Sequence, residues 1–270
     1  MELSVAGASA YFYTGGKPWQ SGQPCLTFIH GAQHDHSVWI LQSRYFAHHG
    51  FNVLAPDLPG HGRSSGPPLA SIEAQAGWMA GLLDAAGVQS TVLIGHSMGS
   101  LIALEFAAQA RARVARVALL APAYPMQVSA ALLDAARDDE PRAIEMINIW
   151  SHSSRAGGFS QKPSNPGPGF CLVLGNQRLM ERQSPGVLHV DFSACNAYRN
   201  EAALTGLGVP ALVLLGERDA MTPARAGRAL AARLPQHEVQ TIAGAGHALM
   251  GEAPDAVLEA LKPFVAAAWC

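Results

Sequence analysis

Three residues of this chain can carry out nucleophilic chemistry together if the fold brings them to one place. Ser97 stands in "TVLIGHSMGS", between a run of apolar β-branched residues and a stretch with helical spacing. A serine between a strand and a helix sits on a very sharp turn, which leaves little room for side chains two positions away. Gly95 and Gly99 occupy those positions. Such a turn lifts the hydroxyl above the sheet and aims the N-terminus of the next helix at the reacting centre. A serine hydroxyl is a weak nucleophile. It needs a general base, and the base needs an acid to orient it. His247 lies in the small-residue loop of "TIAGAGHALM", between an expected strand and a C-terminal helix. Two carboxylates, Glu217 and Asp219, share the turn of "ALVLLGERDAMTP", and either can accept from an imidazole Nδ1–H.

A different chemistry is raised by "IHGAQHDHSVW", Ile29 to Trp39, which crowds His30, His34 and His36 around Asp35. Zinc enzymes need ligands that converge at about 2.0–2.2 Å and leave one position open. The metallo-β-lactamase pattern H-x-H-x-D-H, laid over Asp35-His36, asks for histidines where this chain has Gly31 and Gln33. His34 and His36 project to one side of an extended segment, but no third ligand is evident. The sequence therefore predicts no metal site. It leaves His34 and His36 at a cleft rim, where they can touch a substrate.

These residues need a scaffold. Apolar runs at Leu26–Ile29, Phe51–Ala55, Thr91–Ile94, Val114–Leu120 and Ala211–Leu215 read as buried strands, with His237–Ile242 as a further one. Helical segments at Ser71–Ala86, Ser100–Ala112, Pro223–Leu234 and Pro254–Ala267 alternate with them, and Thr222 is the expected N-cap before Pro223. Alternation of this kind predicts an α/β fold with a mostly parallel, doubly wound sheet. The rhythm lapses between residues 124 and 207, where helices at Val128–Ala136 and Pro141–Trp150 lead into the Gly/Pro/Ser-rich stretch Arg155–Gly169. The expected organisation is a core of residues 1–123 and 208–270, with 124–207 inserted as a largely helical cap. Trp39, Trp150 and Phe159 are the aromatic candidates for a pocket wall.

Composition narrows the partners. The chain has 270 residues, 49% hydrophobic and 14% charged, with a net charge of -2, which suits one large globular domain. A near-neutral balance without a basic block speaks against nucleic acid. No apolar run reaches bilayer-spanning length. The N-terminal stretch has neither a basic region nor a continuous apolar one, and the four cysteines show no CxxC pairing. The expectation is a reduced, cytoplasmic protein, monomer or homodimer, acting on a small molecule.

The order Ser97, Asp219, His247, with a strand–turn–helix elbow around the serine, resembles the α/β-hydrolase fold superfamily. "HGA" (His30–Ala32) is similar to that family's oxyanion loop, and "APDLPGHGRSSGP" (Ala55–Pro67) to its D-x-P-G-x-G-x-S loop. "GERDAMTP" and "GAGHALMGEAP" are similar to its acid and histidine loops. The resemblance implies Asp219 rather than Glu217 as the acid. It also implies backbone N–H groups of Ala32 and Met98 as oxyanion donors, and no cofactor. The implied activity is that of a carboxylesterase-like serine hydrolase on a small to medium, apolar ester. Thioesterase, lactonase and C–C (meta-cleavage type) hydrolase chemistry use the same machinery. A meta-cleavage enzyme typically carries Trp after its histidine, whereas here the residue is Ala248. A non-catalytic ligand-binding protein on this scaffold and a metallohydrolase are the readings from other classes.

Overall fold

The computed structural model describes residues 1–153 and 171–269. Phe159 lies outside the described residues. The strands are β1 (Glu2–Val5), β2 (Ala8–Tyr13), β3 (Cys25–Ile29), β4 (Asn52–Pro56), β5 (Thr91–His96), β6 (Val114–Leu120), β7 (Ala211–Gly216) and β8 (His237–Ile242). The helices are α1 (Ile40–Ala47), α2 (Ile72–Ala85), α3 (Met98–Gln109), α4 (Ala130–Asp138), α5 (Glu140–Ser151) and α6 (Leu172–Glu181). They continue with α7 (Val187–Ala197), α8 (Glu201–Thr205), α9 (Ala224–Ala231), α10 (Leu249–Glu252) and α11 (Pro254–Ala266).

The strands form one eight-stranded sheet in the order β1-β2-β4-β3-β5-β6-β7-β8. From β4 to β8 every pairing is parallel; β1–β2 and β2–β4 are antiparallel. Side chains of the central strands alternate between two cores. Leu93 joins a core with α2 and α3, while Val92 and Ile94 join the opposite one with α1 and α11. Strands β3, β4, β5 and β7 are buried along their whole length, which is why they read as continuous apolar runs. The hairpin β1–β2 is an addition to the expected strands. Its tight turn is Ala6-Gly7, both with positive φ (49° and 82°), a two-residue hairpin turn without the usual Asn-Gly signature.

Strand β3 has β4 on one side and β5 on the other, so the chain reverses its direction of travel across the sheet at this point. In open α/β sheets the crevice at such a reversal, beyond the strands' C-terminal ends, is where ligands bind. Ile29 pairs with Gly95, so the residues after β3 and after β5 emerge side by side.

Between β6 and β7 the chain leaves the sheet and builds α4 to α8. Leu132, Ile144, Ile147, Met180, Leu188 and Phe192 make a small core of their own, against which Ala32 and Met221 from the sheet's loops pack. The return path is anchored to the underside of α3. Buried Glu105 accepts from the Tyr198 hydroxyl at 2.8 Å, from Asn200 Nδ2 at 2.7 Å and from Gln109 Nε2 at 2.8 Å. Among the described residues no helix is long and apolar enough to cross a membrane. Cys25 and Cys195 are free thiols.

The anchor yields a stability prediction. Tyr198→Phe removes a hydrogen bond to a buried carboxylate that keeps its other two donors. Urea denaturation should show a loss of about 1.5–3 kcal/mol with an unchanged far-ultraviolet dichroism spectrum.

Candidate active site

Ser97 follows the last residue of β5 and caps α3, with φ 53° and ψ −117°. That backbone conformation is strained for a residue with a side chain and persists only where its surroundings enforce it. The enforcement comes from a close approach of α3 to the sheet. A methyl group on Gly99 would collide with the carbonyl oxygen of Ile29 at the end of β3, and one on Gly95 with the carbonyl of Gly99. Two hydrogens where other residues carry carbon let the helix start directly on the strand. The Ser97 amide donates to Leu120 O at 2.9 Å, tying the turn to β6. Its hydroxyl faces a cavity and makes no hydrogen bond among the described residues.

His247 is almost fully buried and borders the same cavity. Its Nδ1 lies 2.8 Å from Asp219 Oδ2, which assigns Nδ1–H as donor and leaves Nε2 as the basic nitrogen. Asp219 is held in turn. Its Oδ1 accepts from the amides of Met221 and Thr222, both at 2.8 Å. The Thr222 hydroxyl is 2.9 Å from Oδ2 and 3.1 Å from His247 Nδ1. Thr222 was expected to cap the next helix; instead Pro223 stands at the N-cap and Thr222 braces the carboxylate. Glu217 turns away, its Oε2 accepting from the Gly244 amide at 2.7 Å. The histidine loop is also held from the inserted helices: Ser151 O accepts the His247 amide at 2.7 Å and the Ala248 amide at 3.2 Å.

The loop after β3 crosses the front of the elbow. A methyl group on Gly31 would lie 3.3 Å from Ser97 Cβ, so the loop touches the serine. His30 is completely buried beneath it. Its Nδ1–H donates to Gly31 O at 2.8 Å, and its Nε2 accepts from the Leu58 amide at 3.1 Å. In a trans peptide the C=O and N–H point in opposite directions, and the Gly31–Ala32 bond is trans. A Gly31 carbonyl drawn to His30 therefore turns the Ala32 N–H the other way. Ala32 lines the cavity with Ser97, and its amide donates to no protein acceptor among the described residues. Met98 is the first residue of α3, so its N–H has no partner within the helix.

The remaining candidates separate. Trp150 lines the cavity that holds Ser97 and His247. His34 lines a second cavity, which also borders His247, and its Nε2–H donates to Asn176 Oδ1 at 2.8 Å. Two expectations need correction. His36 does not reach either cavity: its Nδ1 lies 2.7 Å from Asp57 Oδ1 and its ring packs on Tyr11 and Tyr13. Trp39 is sealed in the core at 0% exposure, against Phe28 and edge-on to His96. The reason is common to both. The segment is not extended but folds into a 3₁₀ turn, His36–Trp39, capped by the Asp35 carboxylate, so the two-residue alternation assumed for it does not apply.

Among the described residues, one group could hold a cation: Asp35, His36 and Asp57 offer atoms within 4.8 Å of one another. Those oxygens already accept from Ser37, His36 and Arg63 amides, so the cluster shapes the turn rather than leaving coordination sites open. His34 is not a member.

Three histidines are kept neutral. Burial holds His30 and His96 well below the usual imidazole value, and burial brings His34 down to about 4 despite its bond to Asn176. His96 sits under the His247 loop, its Nε2–H donating to His247 O at 2.9 Å. His61 behaves in the opposite sense. Burial lowers it, but the adjacent Asp191 carboxylate, 2.8 Å away, raises it to a net increase.

The cavity that contains Ser97 has a volume of about 370 Å³, with Met126, Val128, Leu132, Phe192 and Met221 making it mostly apolar. The second has about 460 Å³ and is apolar around Val38, Leu41, Leu172, Leu179 and Met250. His247 is a wall of both.

Comparison with known proteins agrees with this architecture. The alpha/beta hydrolase fold family matches residues 24–254. The chain is 27% identical over 260 residues to a biotin biosynthesis bifunctional protein of Cellvibrio japonicus, covering 90% of this chain and 47% of that one. It thus spans about half the length of that relative. Among solved structures, an enol-lactonase from Burkholderia xenovorans superposes with a TM-score of 0.86 at 22% identity, over 98% of this chain and 100% of that one. A thermophilic esterase from Thermogutta terrifontis does so with a TM-score of 0.84 at 23% identity, over 100% and 99%. At these identities the structural likeness is one of fold. The chain belongs to the alpha/beta hydrolase fold family.

Two predictions follow from the geometry. Gly99→Ala should lower the melting temperature by several degrees, because the added carbon meets backbone rather than a movable side chain; calorimetry reads the change. The neutral histidines set an acid limit. Their folded values lie below the ordinary 6.5, so below that pH the unfolded chain takes up protons that the folded chain refuses. Stability is full above about 6.5 and is lost as pH falls toward 4, with His61 opposing the trend. The urea midpoint should be lower at pH 5 than at pH 7.5, and the drop should be smaller in His34→Gln.

Proposed function

We propose that this member of the alpha/beta hydrolase fold family is a serine hydrolase that cleaves small to medium, apolar carboxylic esters through an acyl-enzyme. One observation carries the reading: a strained Ser97 faces a cavity bordered by His247, whose Nδ1 is engaged by Asp219 at 2.8 Å and whose Nε2 is free to act as base. Ser97 Oγ attacks the acyl carbonyl as His247 Nε2 takes its proton. The Ala32 and Met98 N–H groups receive the oxyanion. His247 then protonates the departing alcohol, and a water activated by the same nitrogen hydrolyses the acyl group from Ser97. Asp219 holds the tautomer and stabilises the imidazolium. The inserted helices act as a cap that walls the acyl cavity.

The two cavities favour an open-chain ester over a lactone. They meet at His247, the residue that hands a proton to the leaving group, so the acyl chain fits the cavity of Ser97 and the alcohol fits the one beside His34. A lactone keeps acyl and alkoxide on one tether and has no need of two separate apolar spaces. The comparison structures named as an esterase and an enol-lactonase are in keeping with carbonyl hydrolysis on this fold.

Ser97→Ala should reduce p-nitrophenyl ester turnover by several orders of magnitude and remove labelling by a fluorophosphonate, while the protein melts as the wild type does. Asp219→Asn should lower kcat by about 10⁴. Wild-type turnover in Ser97→Ala overturns the assignment. In a panel that varies acyl and alcohol lengths independently, kcat/KM should respond to both; a best rate on lactones with none on open-chain esters overturns the substrate class.

A further inference from the structure

Two consecutive peptide planes make up the oxyanion loop, and they are held from opposite sides. The Gly31–Ala32 plane is held from the sheet by His30, as described above. The Ala32–Gln33 plane is held from the insertion. The Gln33 amide donates to Asp191 Oδ2 on α7 at 2.9 Å. The Gln33 side chain donates to Glu140 Oε1 on α5 and to Met180 O on α6, each at 3.2 Å. Every bond of this residue's amide and side chain thus goes to a helix of the insertion. Gln33 also has φ 56°, a left-handed conformation that a residue with a side chain keeps only under such restraint.

Asp191 is fully buried, and its Oδ2 also accepts from His61 Nε2 at 2.8 Å. His61 packs its ring on His30, with centroids 4.9 Å apart. A closed chain of buried contacts therefore runs from His30 through His61 and Asp191 to Gln33, around the peptide that presents the Ala32 N–H. A buried ion pair is an expensive way merely to fasten two elements together, since desolvation offsets much of its attraction. Its second oxygen, Asp191 Oδ1, has no hydrogen-bond partner among the described residues. What this carboxylate does specifically is fix one backbone N–H next to the oxyanion donor.

We infer that Asp191 is a positioning residue: its carboxylate, carried on α7, locks the Ala32–Gln33 peptide so that the oxyanion donor is in place only while the insertion is docked on the sheet. The insertion then completes the catalytic geometry as well as walling the cavity. The same helix carries Phe192 and Cys195 in the acyl cavity wall, so seating of a substrate against α7 and alignment of the donor occur together. This rests on the serine hydrolase reading.

The test uses Asp191→Ala in the full chain. The acylation burst with a p-nitrophenyl ester should slow by about 10- to 100-fold, the cost of a misplaced group, with KM within about threefold of wild type. Inhibition by a trifluoromethyl ketone, whose adduct on Ser97 carries an oxyanion, should weaken by the same factor as acylation. A folded variant with wild-type burst rate and ketone affinity, or with a change in KM alone, overturns the inference. If the variant does not fold, hydrogen exchange on the wild type decides. The Gln33 amide should exchange with the same protection as the interior amides of α7; exchange as fast as an exposed loop amide overturns the clamp. A wild type with no burst and no fluorophosphonate labelling at Ser97 defeats the hydrolase reading itself, and the exchange measurement still judges the clamp.

Discussion

A close approach of helix α3 to strand β3 governs what the surrounding residues can do. Gly99 lies so near the Ile29 carbonyl that no other residue fits, and Gly95 lies as close to Gly99. Only with that separation can the chain pass from β5 to α3 through a single strained residue, Ser97. The helix is then obliged to begin at Met98, with its unpaired amide beside the serine. The register of β3 against β5, with Ile29 opposite Gly95, brings the loop after β3 to the same spot. The sharp turn at Ser97, the start of α3 and the placement of the loop after β3 are consequences of one packing distance.

Around that contact the molecule uses buried histidines as rigid, neutral braces. His30 supports the Gly31 carbonyl and His96 supports the His247 carbonyl, and both are kept uncharged by burial. An imidazole with one N–H and one lone pair can bridge a carbonyl to an amide, as His30 does between Gly31 and Leu58. The histidines that crowd the early part of the chain thus belong to scaffolding as much as to chemistry. His61 departs from this pattern, because the buried Asp191 carboxylate beside it raises its pKa.

The insertion between β6 and β7 grips both the loop after β3 and the loop of His247. Ser151 at the end of α5 accepts the amides of His247 and Ala248, and Asp191, Glu140 and Met180 hold Gln33. A segment with its own small core is therefore bonded to the loops that follow β3 and β8. Buried polar contacts of this kind specify one seating of the helices far more sharply than apolar packing would.

Signals that are local in the chain were legible in the sequence. The glycines flanking Ser97, the apolar runs of the parallel strands, and Pro254 at the first turn of α11 each act through neighbours a few residues away. Local signals failed where the chain turned without an obvious marker. The Ala6-Gly7 hairpin went unread, and the fold of His36–Trp39 into a 3₁₀ turn sent Trp39 into the core and His36 to Asp57. Tertiary structure alone decided the roles of His30, Gln33, His61, Thr222 and Asp191. Asp191 meets its partners across separations of 158 and 130 residues. No periodicity or propensity couples positions that far apart. A buried hydrogen bond is set by where two elements pack, and that is settled only when the whole core closes.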